Sequence, residues 1–230
     1  AIALGGSKGL ITYEDLTNDL IKSVIVNFTS GNTAGVSSTK NTIISAPTGT
    51  DFLLSGLDPS SGKVVLLYRP TSTGTVSNLL ILTVNGNVVT AGSPAQWESV
   101  NISYPNLTMS NGQFIITYSY YVDSYACKYI VGTVSQTGDV FFSTAYSVGD
   151  NLRASTAAPG LYDPDNSKAI IFYTDAGNSD YGTYTMIDNA ASTNLNFMGI
   201  TVGAIADGET GVVSPKGSIN QSVTGLTTLT

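Results

Sequence analysis

Apolar and polar residues alternate in short runs along most of this chain, and Asp, Asn, Gly, Pro and Ser interrupt the runs. The stretch from Ala158 to Ile187 sets the pattern. A short apolar segment, Gly160–Tyr162, meets the turn Asp163-Pro164-Asp165-Asn166-Ser167. The β-branched and aromatic run Lys168–Thr174 follows, then the polar loop from Asp175 to Asp180, then the alternating run Tyr181–Ile187. Period-two alternation puts successive side chains on opposite faces of a strand. Proline fixes φ, and Asp, Asn and Gly tolerate tight turns, so each break has a mechanism. The pattern predicts a meander of antiparallel strands.

The pattern repeats. Leu57-Asp58-Pro59-Ser60-Ser61-Gly62-Lys63, followed by Val64 to Tyr68, aligns with Tyr162-Asp163-Pro164-Asp165-Asn166-Ser167-Lys168, followed by Ala169 to Tyr173. A shorter copy, Met109-Ser110-Asn111-Gly112-Gln113 through Tyr118, lies between them. The closing tyrosines, Tyr68, Tyr118 and Tyr173, recur at intervals of about 50 residues, a period shared with propeller blades of four strands.

Taken in order, the first unit, Asp51 to Trp97, has expected strands at Phe52–Leu57, Lys63–Tyr68, Asn78–Val84 and Asn87–Ala91. Asn85-Gly86 is its hairpin signal. The second unit, Tyr104 to Val148, has them at Asn106–Met109, Gln113–Tyr120, Lys128–Ser135 and Val140–Tyr146, with a turn at Thr137-Gly138-Asp139. The third unit runs from Ala158 to Phe197. Upstream, Ser23–Phe28 and Thr42–Ala46 read as the trailing half of an earlier blade. Residues 1–23 hint at a short helix. Thr12 is an expected N-cap, Glu14 and Asp15 fall in the first turn, and Leu16, Leu20 and Ile21 keep helical spacing. From residue 200 the composition shifts to a small β module around Asp207-Gly208. The expected organisation is an N-terminal segment over 1–23, propeller-like blades over 24–199 and an incomplete β module over 200–230.

Composition narrows the function classes. Only 11% of the 230 residues are charged, and the net charge is −7 with nine Lys and Arg. Binding to nucleic acid needs clustered cations, so no nucleic-acid partner is expected. The same shortage disfavours an anionic membrane surface, and no run approaches the roughly 18 apolar residues that span a bilayer. No secretory leader is legible at the start. The chain has no histidine and a single cysteine, Cys127. Catalysis by Ser-His-Asp or Cys-His is excluded, as are the usual zinc centres. Cys127 itself is expected as a small buried residue in a strand.

Two sets of residues are candidates for chemistry. Asp163, Asp165, Asp175, Asp180 and Asp188 could offer oxygen ligands to calcium, or could simply form hairpin turns. The turn reading is the simpler one, and no metal or other cofactor is expected. Tyrosines are the other feature. Thirteen occur, and Tyr118, Tyr120, Tyr121, Tyr125 and Tyr129 crowd one stretch. Most are expected to pack between blades. Tyr121, Asp123 and Tyr125 are expected to lie exposed on a loop, where an apolar ring with a polar tip can stack on a sugar. Asp175, Asn178, Asp180 and Tyr181 are the corresponding binding candidates in the third unit.

Tyr162 to Ile187, with the phrase Tyr129 to Ser135 before it, resembles the propeller-like repeats of phage tail and tail-fibre proteins, especially those of marine phages. Phe197 to Gly211 resembles a module near the C-termini of phage fibres. The second unit departs from the repeat by placing Tyr120 to Tyr125 where a Gly-Asn-Ser loop stands, and the first lacks that loop at Pro70 to Ser77. The resemblance implies an all-β chain acting as a non-enzymatic virion component, in contact with other virion proteins or copies of itself. It also implies a homotrimer and a host-surface glycan or protein as receptor. A soluble lectin is the alternative, and a glycoside hydrolase a further one. The Asp-box of sialidase propellers is absent, and their arginine triad cannot be built from Arg69 and Arg153. Three and a half blades fall short of the four to eight of a closed ring. Either the N-terminal half-blade joins C-terminal strands to close a four-bladed ring, or the chain is a fragment, or chains complete one another, and a fragment or a chain-completed assembly is expected ahead of a closed monomer.

Overall fold

The computed structural model describes residues 1–29, 34–45, 49–72, 74–110, 112–120, 126–148, 159–163, 168–175, 179, 181–188, 199–201 and 213–215. The described residues are all-β, with no helix. The chain divides into two compact units, Ala1–Asp188 and Asn189–Thr230. In the second, β18 (Gly199–Thr201) pairs antiparallel with β19 (Val213–Pro215).

The first unit contains four antiparallel sheets, each a meander in chain order. Sheet I is β1 (Ile2–Gly5), β2 (Lys8–Asp15), β3 (Leu20–Phe28) and β4 (Ala34–Ile44). Sheet II is β5 (Thr50–Leu57), β6 (Val64–Pro70), β7 (Ser77–Asn85) and β8 (Val88–Ala91), with β9 (Ala95–Glu98) also on β7. Sheet III is β10 (Ile102–Ser110), β11 (Gln113–Tyr120), β12 (Ala126–Val134) and β13 (Val140–Phe142), with β14 (Tyr146–Ser147) also on β12. Sheet IV is β15 (Gly160–Asp163), β16 (Lys168–Asp175) and β17 (Tyr181–Asp188).

The helix expected within residues 1–23 is replaced by strands. Ile11 and Tyr13 pair with Val24 and Lys22 in register, and β-branched and aromatic residues suit a pleated surface better than a helix. The acids that resembled a helical first turn have other work. Asp15 accepts from the Thr17 N–H at 3.2 Å and the Asn18 amide at 3.0 Å, which closes the turn to β3, and it is ion-paired with Lys22. Glu14 reaches sheet II. Residues 1–15 therefore supply the first two strands of a four-stranded sheet whose later strands are those read as the trailing half of a blade.

Successive sheets pack face to face, because continuous apolar runs such as Val64–Leu67 and Leu79–Leu82 give a central strand two apolar faces. Leu10, Ile21 and Ile25 of sheet I meet Val64, Leu66, Leu80 and Leu82 of sheet II. The opposite face of sheet II, Val65, Leu67, Leu79 and Ile81, meets Phe114, Ile116 and Tyr118 of sheet III. The far face of sheet III, Ile115 and Cys127, meets Ala169, Ile171 and Ile187 of sheet IV. Each fully buried side chain of this size contributes about 1.5–3 kcal/mol of transfer free energy. The first strands β1, β5, β10 and β15 lie side by side in that order.

Glycines shape these interfaces; Gly56 on β5, for one, leaves room for Met109 on β10. Gly132 pairs across from Phe114, whose ring occupies the space a Cβ at 132 would need. Gly160 on β15 leaves similar room for Thr108 on β10.

Candidate binding surface

At one end of each sheet the second strand turns into the third. Staples between sheets mark this as a shared end. Glu14, near the end of β2, accepts from the Thr50 N–H at 3.0 Å and the Thr50 hydroxyl at 3.3 Å, at the start of β5. Arg69, near the end of β6, donates to Asp51 at 2.8 Å, to the Ile102 carbonyl at 2.8 Å and to Asn101 at 3.3 Å. Its guanidinium also lies 5.5 Å from the centroid of the Phe52 ring. Arg69 is buried, and a buried cation needs this kind of pairing. Its fork is occupied by links between sheets II and III.

Where sheets III and IV meet at this end, tyrosines gather. Directly opposed residues in an antiparallel pair share a face. Tyr129 and Tyr146 are such a pair, and their rings stack with centroids 5.2 Å apart. On sheet IV, Tyr173 and Asp175 share the face that carries Ile171 into the core, and Tyr181 lies directly across from Asp175. Tyr173 packs against the core cluster that contains Cys127 of sheet III. Burial raises the Tyr173 phenol above its usual pKa, and Asp175 and then Cys127 add to the shift. The Tyr129 phenol is also raised, by burial first and by Tyr146 second. Tyr146 and Tyr181 are exposed, whereas Tyr129 and Tyr173 are half-buried. This end of the two sheets thus carries two half-buried rings, two accessible rings and one carboxylate.

Of the residues singled out in the sequence, Asp175 and Tyr181 belong to this surface. Tyr121, Asp123, Tyr125, Asn178 and Asp180 lie outside the described residues. The strands flanking 121–125 end at Tyr120 and resume at Ala126, on the same end as Asp175 and Tyr181. Tyr129, Tyr146 and Tyr173 were not among the binding candidates read from the sequence. Strand parity from the closing tyrosine Tyr173 would have placed it beside Asp175, but its packing on the core cluster that Tyr129 also covers depends on how two sheets pack.

The other tyrosines of this region serve packing. Tyr118 is buried, sits edge-on to Trp97 at 5.4 Å between centroids, and donates to Glu98 at 2.8 Å. Burial, then Glu98, raises its phenol well above the ordinary value. Lys128 sits 3.7 Å from the centroid of the Tyr120 ring, a cation–π contact. Cys127 is fully buried in β12 and its thiol is pushed up to about 12 by burial.

Among the described residues, Asp163 and Asp175 do not come together as a calcium site would need. Asp163 and Asp188 flank Lys168 at one end of sheet IV, and Asp175 lies at the other end of β16. Asp165 and Asp180 lie outside the described residues. No cluster of three metal-binding side chains occurs among the described residues.

No protein-family model matches the chain, and no curated protein matches it. Two solved structures of an exo-beta-1,3-galactanase from Phanerochaete chrysosporium are similar to it, one of a variant with beta-1,3-galactotriose and one with galactose. Each is 14% identical with a TM-score of 0.41, over 82% of this chain and 48% of the galactanase chain. The chain thus spans about half the length of those structures.

Proposed function

We propose that this chain is a propeller-like, non-enzymatic component of a phage tail or tail fibre. It would stand on the virion surface and touch a host glycan or protein through the tyrosine-lined end of sheets III and IV. Sheets that follow one another in chain order, with first strands side by side, support the propeller-like reading. The sequence resemblance supports the virion role, together with contact to other virion proteins and a homotrimeric state. No cofactor enters this role.

The observation that carries the binding role is the pairing of exposed Tyr181, 64% accessible, with Asp175 beside Tyr173. A pyranose presents a face of C–H groups that stacks on an accessible ring, and its hydroxyls can donate to a carboxylate. Rings have few rotatable bonds, so ordering them costs little entropy.

A glycan array followed by a turnover assay on the bound glycans tests the proposal. Binding without release of sugar is the expected result. Strong binding by an isolated monomer would favour a free lectin instead. Release of sugar would favour a glycoside hydrolase, which needs two carboxyl groups about 5–10 Å apart across the bond.

A further inference from the structure

Sheets II and III each have a neighbour on both sides, and each buries both faces. Among the described residues, sheet IV buries one, the face toward sheet III. Its other face carries Leu161, Ile170 and Met186 in one cross-strand row and Phe172 and Tyr184 in the next. Leu161 is 62%, Tyr184 60% and Met186 55% exposed. A contiguous apolar sheet face of this kind marks an interaction site. The far face of sheet I carries Ile11 opposite Val24 and Gly9 opposite Val26, with Ile11 exposed.

The interface between sheets II and III shows what completes such a face. The buried Asp58, just past the end of β5, accepts from the backbone N–H of Gly112 in the first hairpin turn of sheet III at 3.0 Å. Sheet IV has Asp163 at the matching repeat position. The first hairpin turn of sheet I matches that of sheet III. Gly5 pairs with Lys8 around a two-residue turn, as Ser110 pairs with Gln113. The second turn residue is left-handed in both, Ser7 at φ 59° and Gly112 at φ 77°.

We infer that the free face of sheet IV is the seat of sheet I from a second copy of this chain, continuing the stacking order I to IV from one molecule to the next. Phe172 and Met186 pack on Ile11, and Asp163 takes the Ser7 N–H as Asp58 takes that of Gly112. The contact uses different surfaces on the two partners, so it is heterologous and builds rings or filaments, not face-to-face pairs. The inference stands on the sheet interfaces alone and does not depend on the glycan role.

Sedimentation of the full 230-residue chain tests it. The wild type should self-associate, and Phe172→Glu and Ile11→Glu should each weaken association about 100-fold, since each buries an unpaired charge at the contact centre. An equimolar mixture of the two variants retains one intact pair of surfaces and should give a species of two chains. Met186→Glu repeats the sheet IV arm, and circular dichroism of every variant checks the fold. A wild type that stays monomeric at high concentration overturns the inference, whether residues 189–230 or a different protein covers the face. An Ile11→Glu variant that still associates while Phe172→Glu does not also overturns it, because that is the signature of sheet IV packing on itself.

Discussion

The carboxylate of Asp58 receives the backbone N–H of Gly112 at 3.0 Å, and this one bond ties sheet II to the first hairpin of sheet III. The same carboxylate accepts the N–H of Ser60 at 3.1 Å and of Ser61 at 3.2 Å, and the Ser61 hydroxyl at 2.6 Å. Asp58 is fully buried, so its charge is held by donors and not by water. Asp58→Ala strands several donors and should cost about 2–4 kcal/mol, read as a lower urea midpoint. Asp58→Asn keeps part of the acceptor set and should cost less.

Gly132→Ala should destabilise by about 1–3 kcal/mol, because the new methyl enters the Phe114 ring in a packed interface. Phe114→Leu in the same chain should relieve part of that clash. A double-mutant cycle by thermal unfolding should therefore show less than additive loss.

Gln113 is 1% exposed, and neither atom of its amide has a hydrogen-bond partner. Its cross-strand neighbour Ser110 has an unpartnered hydroxyl as well. An unpaired amide in an apolar interface costs about 1–3 kcal/mol. Gln113→Met keeps the shape and removes that cost. The thermal midpoint should rise or hold, and a fall of several degrees would contradict the account.

Acid sensitivity has a named source in sheet I. The Lys22 and Asn18 bonds lower the Asp15 carboxyl from 3.8 to about 2. A carboxyl lowered in the folded state stabilises above its unfolded value and loses that contribution as pH falls toward the folded one. Denaturant midpoints measured from pH 5 to 2 should drop most between about pH 4 and 2, and Asp15→Asn should flatten that part of the curve.

At alkaline pH the sign reverses. The Cys127 thiol is raised from 9.0 to about 12, and Tyr68, Tyr118, Tyr129 and Tyr173 are raised by burial. Groups raised in the folded state stabilise below their unfolded values, so stability should fall as pH climbs past 9. A thiol reagent at pH 8 should leave the native protein unlabelled and react once urea unfolds it. Rapid labelling of native protein would show that Cys127 is not where the fold puts it.

The strands of sheets II, III and IV were legible because alternation and turn chemistry agreed. The Asn85-Gly86 hairpin joins β7 to β8, with Gly86 at φ 64°. Thr137-Gly138-Asp139 closes the turn between β12 and β13, where the Ser135 N–H donates to the Asp139 carbonyl at 2.9 Å. Sheet I was half legible. Glu14 and Asp15 match a helical first turn locally, and only the distant Thr50 and Lys22 show what they serve. The binding surface was legible only at Asp175 and Tyr181. Tyr129 and Tyr146 are opposed across β12 and β14, and Tyr129 and Tyr173 cover one core cluster through the packing of sheet III on sheet IV, about which strand periodicity carries no information.

The proposed role turns on Tyr181. Binding of the wild type and of Tyr181→Ala should be titrated side by side against the glycans that an array selects. The account predicts saturable binding by the wild type and at least about tenfold weaker binding by the variant, with an unchanged unfolding midpoint. Equal affinity in the two proteins would contradict it.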